Sequence, residues 1–188
     1  MRIIPYTTLS DGHVTLRPFQ FDDAGALYEA VRESLAELKP WMSWAYDGYA
    51  PSDATNYITV ARAEWGTSSM FSFAITDEQS RALLGACSLS HIHPVYFYCN
   101  LGYWVRTSQR GHGIAGSAAR LAARFAFKEL LLARVEVVVA VGNATSLRVA
   151  EKIGAQREGV LRNRIIVGKE VLDAVMFSFI PGDFDLSN

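Results

Sequence analysis

The stretch Arg110-Gly111-His112-Gly113-Ile114-Ala115 decides how the chain is read. It lies between a strand-like segment, Leu101-Gly102-Tyr103-Trp104-Val105, and a long Ala-rich segment with helical spacing that starts near Ile114. A glycine-containing turn that opens a helix presents unpaired backbone N–H groups at the positive end of the helix dipole. That is a generic anion site, suited to a pyrophosphate. The glycines let the backbone approach a ligand, and Arg110 adds charge. A strand-to-helix turn that simply needed glycine would look the same, so the flanking elements must decide.

Upstream, His13 to Arg17 alternates as a strand does. Asp22 or Asp23 can cap a helix with apolar positions Ala24, Leu27, Val31 and Leu35, and Pro40 ends it. Trp41, Trp44, Tyr46 and Tyr49 fall in a loop, and Ser52 or Asp53 caps a second helix running to about Trp65. Met70 to Thr76, Leu83 to Ile92 and Tyr98 to Val105 read as strands, the first two joined by a polar turn around Asp77 to Ser80. Downstream, Ile114 to Leu131 is a helix with Ile114, Ala118, Leu121, Phe125 and Ala126 facing a core. Val135 to Val141 is a mostly buried strand. Asn143 can cap a short helix that closes at Gly154, followed by strands near Gln156 to Val167 and Val171 to Ile180. The expected order β, α, α, β, β, β, α, β, α, β, β mixes antiparallel hairpins with βα crossovers. It predicts one mixed α/β sheet with helices on both faces.

The bulk numbers narrow the function. A chain of 188 residues is expected to form one domain, 1–188, with a real core. Half of it is apolar, 12% is aromatic and the net charge is −1, which lacks the basic field of a nucleic-acid binder. Cys87 and Cys99 sit in apolar runs and read as reduced thiols of a cytoplasmic protein. Met1 to Gly12 lacks a signal-peptide pattern, and no apolar run reaches the ~18 residues of a membrane helix, so no membrane association is expected.

Two constellations flank the turn. A glycine within a strand, Gly102, often marks a bulge or a close backbone approach. A bulge there would splay this strand from Val135 to Val141 and expose backbone groups to an amide-bearing ligand; a glycine that merely admits neighbouring aromatics is the alternative. Asn143 and Ser146 follow a buried strand at the sheet's carboxyl end, where ligands of α/β folds bind. Both are also ordinary residues of a helix N-terminus.

Taken together, Arg110-x-x-Gly113-x-Ala115 after a Gly-Tyr-Trp-Val strand, a Val-rich strand, Asn143-x-x-Ser146 and Glu151-Lys152-x-Gly154 resemble the GNAT acetyltransferase superfamily. Leu16-Arg17-Pro18, the run Lys39 to Trp44, and Glu158 to Arg162 followed by Asp173 and Phe177 are similar to its RimJ/RimL-type branch, the ribosomal-protein N-acetyltransferases. The resemblance spans roughly Val14 to Phe179. It implies a single GNAT-type domain whose mixed, mostly antiparallel sheet has a bulged, splayed strand. It also implies acetyl-coenzyme A as co-substrate, with no metal. The pyrophosphate would lie on Arg110, Gly111, His112, Gly113, Ile114, Ala115 and Gly116. The pantetheine arm would pair near Trp104, Val105 and Asn143, and Ser146 would lie near the sulfur.

Direct acetyl transfer needs a neutral amine and a proton for the leaving thiolate. Ser146 is the expected donor. Many members of the branch carry an acidic residue just before the Gly-Tyr-Trp strand, but this chain has Asn100-Leu101. Asn100, which can hold a water, and His91 are therefore the remaining catalytic and acceptor-side candidates, and Trp41 and Trp44 are the expected acceptor wall. A lysine amine, with a pKa of about 10.4, stays charged at pH 7, whereas an α-amine at about 7.7–8.0 is partly neutral. A weak base thus favours an N-terminal α-amine, such as that of a ribosomal protein. The alternatives are a small-amine acetyltransferase (aminoglycoside, polyamine or amino-acid-like toxin) and a CoA-binding module without catalysis. Homodimerisation through Val171 to Ile180 is a further expectation.

Overall fold

The computed structural model describes residues 4–186; the ends of the expected 1–188 domain, residues 1–3 and 187–188, lie outside the described residues. The strands are β1 (Leu9–Ser10), β2 (Val14–Pro18), β3 (Phe71–Asp77), β4 (Leu83–His93), β5 (Tyr98–Val105), β6 (Arg134–Ala140), β7 (Gln156–Val167) and β8 (Glu170–Phe179). They form one sheet in the order β1-β2-β3-β4-β5-β6-β8-β7. Every neighbouring pair is antiparallel except β5 and β6, which run parallel. The short β1 was not apparent in the sequence.

Helices cover both faces. On one, α4 (Ile114–Lys128) lays Ala118, Ala122, Phe125 and Ala126 on Leu89, Leu101, Val135 and Phe177, and α5 (Ala144–Lys152) packs beside it through Ala150. On the other, α1 (Ala24–Glu33) and α3 (Pro51–Thr67) bury Leu27, Val31, Ala54 and Ile58 against Phe19, Ala74 and Ala86. Ala174 to Phe179 are buried within this sheet, so most of the segment expected to serve a dimer interface is core.

Three local expectations change. The first helix breaks at Ser34, between α1 and a short α2 (Leu35–Leu38). The buried Ser34 hydroxyl donates to the Ala30 carbonyl at 2.7 Å and accepts from the Thr107 N–H at 3.0 Å, tying the break to the segment just before the glycine turn. Asp23 does not cap α1 with its side chain; its carboxylate grips Arg17 at 2.7 Å and the Gln20 N–H. Asp53 sits inside α3, accepting from the Ala50 N–H at 2.8 Å, and Pro51 opens the helix.

The splay is present, but Gly102 does not cause it. Gly102 stays in register opposite Ser88, whereas the register slips between Ser90 and His93. His91 and Ile92 together oppose Cys99, with His91 at φ +52°. This bulge adds twist, and the β5–β6 ladder ends one residue further on, after Asn100–Glu136. From Leu101 onward β5 pairs only with β4 and leaves a backbone edge open toward β6. The β4 side of that pair is tight, since a Cβ on Gly85 would overlap the Trp104 carbonyl oxygen.

Candidate active site

Two cavities meet at the open end of β5. The first, of about 710 Å³, lies on the α4/α5 face at the gap between β5 and β6. The second, of about 460 Å³, lies under α1 and α3. Met42, Tyr103 and Trp104 line both, so the two cavities adjoin at this point.

The first cleft is built on the glycine turn. Gly111 (φ +84°) and Gly113 (φ +79°) adopt the left-handed conformation that a side chain disfavours. Gly113 starts α4 with no side-chain cap, so the first N–H groups of the helix face the cleft without an acceptor from its cap residue. Arg110, Gly111, Gly113, Ile114, Ala115 and Gly116 line it, together with Trp104, Val105, Asn143 and Ser146. His112 does not. Its carbonyl instead faces the His13 ring nitrogen at 3.0 Å, which ties the turn to the β1–β2 hairpin. Upstream, Arg106 pairs with Glu33 and the Ser108 N–H donates to the same carboxylate at 2.7 Å, holding Glu33 down at about 2. The turn is therefore anchored to α1 at one end and to the β1–β2 hairpin at its centre.

Cations gather along the cleft. Arg110 lies 3.8 Å from Glu37, Arg120 donates to the Ile153 carbonyl at 2.9 Å, and Lys152 has no ion-pair partner among the described residues. Gly116 lets α4 and α5 approach, because a Cβ there would stand 2.8 Å from the Ile153 Cγ2. Gly116→Ala would gain about 1 kcal/mol of helix propensity and lose about 1–3 kcal/mol to overpacking. A net fall in the thermal midpoint is expected; an unchanged or raised midpoint would show that Ile153 yields freely.

At the junction, the Ser146 hydroxyl donates to the Tyr103 oxygen at 3.4 Å, and the Tyr103 hydroxyl reaches the Ser146 carbonyl at 3.5 Å. Both contacts are long, as hydrogen bonds in an unliganded site often are. Burial pushes the Tyr103 phenol up, with the Ser146 contact acting against it, so it is a neutral donor at pH 7. Asn143 spends its amide oxygen on the Ser146 N–H at 3.1 Å, the ordinary capping role, and keeps its amide N–H groups for the cleft.

The other candidates separate. Trp44 lines the second cavity, with its ring centroid 6.0 Å from that of Trp104. Trp41 lines the first instead, and a Cβ on Gly142 would sit 3.2 Å from its ring, so the two tryptophans expected on one wall lie in different cavities. His91 is exposed in the bulge, next to Ser90, and lines neither cavity. Asn100 also lines neither, since it lies one strand alternation beyond Gly102, which floors the second cavity. The sequence shows Tyr103, Asp53 and Lys152 only as strand, capping and motif residues, with no role in the site. The twofold register of β5, which puts Tyr103 and Trp104 on opposite faces at the splay, was the available signal for the first.

Every titratable side chain on the second cavity is displaced from neutrality. The Ala50 N–H and then the Tyr46 hydroxyl hold Asp53 below the usual carboxylate range. Tyr46, hydrogen-bonded to Asp53, moves up, and burial pushes Tyr49 and Tyr57 up to about 12. Burial also raises the Cys87 thiol. Among the described residues, no group of three or more His, Cys, Asp or Glu could hold a metal ion, and no helix is long and apolar enough to cross a membrane.

Residues 13–156 match the family described as the acetyltransferase (GNAT) domain. The chain is 29% identical over 182 residues to "Putative ribosomal N-acetyltransferase YdaF" of Bacillus subtilis, covering 96% of this chain and 98% of that one. It is 31% identical over 156 residues to "Probable N-acetyltransferase YjcK" of the same organism, covering 81% and 85%. Its fold matches that of Mycobacterium smegmatis RimJ in complex with CoA-disulfide, with TM-score 0.83 and 24% identity over 95% of this chain and 88% of that one.

Proposed function

The chain belongs to the GNAT acetyltransferase family and is an N-acetyltransferase, and from that premise we propose that it acetylates the N-terminal α-amine of a protein or peptide, drawing the acetyl group from acetyl-coenzyme A. One observation carries the donor half. An uncapped, glycine-opened helix N-terminus faces the gap where β5 leaves β6. The N–H groups at the start of α4, with Arg110 and Lys152, suit a pyrophosphate, and the open edge of β5 with the Asn143 amide suits the amides of a pantetheine arm. The likeness to a CoA-bearing RimJ fold supports the same assignment. Two buried, free cysteines accord with a reducing cytoplasmic setting.

Acetyl-coenzyme A supplies the acetyl thioester. The acceptor nitrogen forms a C–N bond to the acetyl carbon as the C–S bond breaks. The nitrogen loses a proton to solvent, and the departing thiolate takes one from the Ser146/Tyr103 pair, which regains a proton from solvent. No described lining group of the second cavity titrates near pH 7, so no side chain there takes the amine's proton, and the amine must become neutral by its own pKa before it attacks. For a peptide acceptor, kcat/KM should rise tenfold per pH unit and level at the acceptor's own value of about 7.7–8.0. A plateau well below that value would reveal a base in the enzyme.

Thiol release with an N-terminal peptide, compared with an Nα-blocked, lysine-bearing twin, tests the acceptor. Faster transfer to lysine overturns it. Among its described lining residues the second cavity carries a single carboxylate with mostly apolar and aromatic side chains, which supports an α-amine over a polycationic aminoglycoside or polyamine.

A further inference from the structure

The second cavity limits what can accompany the amine. Leu27, Val31, Trp44, Tyr57, Met70 and Trp104 give it apolar and aromatic walls. Asp53 is the one carboxylate among its described lining residues, and none of them is Lys, Arg or His. The Ala50 N–H and the Tyr46 hydroxyl both donate to Asp53 Oδ2 at 2.8 Å, which fixes the carboxylate and keeps it ionised. An ammonium is attracted to this site. A carboxylate or phosphate beside the amine would be repelled by Asp53, with no cation among the described lining residues to pair it.

We propose that the acceptor is an amine carried beside a bulky apolar or aromatic group and flanked by no anion, with that group seated in this cavity and the ammonium drawn in by Asp53. The proposal rests on the acetyltransferase reading and narrows its substrate class. The same chemistry occurs in a peptide that begins with a large apolar residue and in a small arylalkylamine. A hydrophobic pocket discriminates a single methylene by about 10–200-fold, so a whole apolar side chain should be selected at least at the lower end of that range.

The test measures thiol release at saturating acetyl-CoA for tripeptide amides beginning with phenylalanine, leucine, serine or aspartate, and for phenethylamine and free phenylalanine. The phenylalanine- and leucine-first peptides should exceed the serine-first one about 10-fold or more in kcat/KM. The aspartate-first peptide and free phenylalanine should be poorest. Phenethylamine outrunning every peptide assigns the small-amine source, and the reverse assigns the peptide source; both support the class. Equal rates for serine- and phenylalanine-first peptides, or good turnover of free phenylalanine, overturn it. A Cβ on Gly102 meets only the Ser88 hydroxyl, at 3.8 Å, so Gly102→Leu projects into the cavity and should collapse the phenylalanine-to-serine ratio toward one. Silence toward every amine would overturn the acceptor reading, and binding then judges the cavity separately. Quenching of tryptophan fluorescence by phenethylamine but not by free phenylalanine supports the class, and equal quenching overturns it.

Discussion

Gly113→Val should raise the KM for acetyl-CoA by about 100-fold or more, while Gly168→Val leaves it unchanged. Both glycines have positive φ, +79° and +60°, and a β-branched side chain at either costs about 1–3 kcal/mol of stability. Their surroundings differ. Gly168 lies in the β7–β8 turn and lines neither cavity, whereas Gly113 opens α4 toward the cleft. A valine at 113 can relieve its strain only by turning the N–H groups at the helix start. Hydrogen bonds to a charged group contribute about 1.5–3 kcal/mol each, so misdirecting one or two of them costs the stated affinity. Initial-rate KM values and calorimetric titration of CoA check it, with thermal midpoints confirming a similar loss of stability in both variants. An equal KM shift in the two would mean that the effect is global loosening and that the turn is not the anchor.

The contrast between these glycines also shows which features a sequence exposes. The turn was legible because its signal is local: two glycines, then a helical period whose apolar face closes over one core. The capping role of Asn143 and the stop at Gly154 (φ +82°) are equally local and stand as read. The bulge was not legible. It falls on His91 and Ile92, where no glycine marks it, and a histidine at positive φ is held there by the ladders on either side. The break at Ser34 was hidden for a related reason, since its hydroxyl is claimed by Thr107, 73 residues away. Trp41 and Trp44 look equivalent in sequence yet end in different cavities, because the loop between α2 and α3 crosses the end of β5. The second cavity draws on α1, that loop, α3, β4 and β5 at once, so no single periodicity could announce it.

The Ser146/Tyr103 pair carries the second large expectation. General acids contribute about 10²–10⁴-fold, and the lower end applies here because a thiol, with a pKa of about 8.5, leaves as a thiolate without much help. Ser146→Ala and Tyr103→Phe should each lower kcat by about 100-fold, or somewhat less, with little change in KM for acetyl-CoA. The helix start should survive Ser146→Ala, since Asn143 bonds the backbone N–H of residue 146 and not its hydroxyl. The decisive measurement is the double variant. If the two hydroxyls act as one relay, 3.4 Å apart at the junction of the cavities, removing both costs little more than removing either. Independent roles would multiply the two losses. A third outcome, in which Ser146→Ala raises KM and spares kcat, would reduce Ser146 to holding the donor and leave the Tyr103 hydroxyl, neutral at working pH on a side chain that lines both cavities, as the proton source.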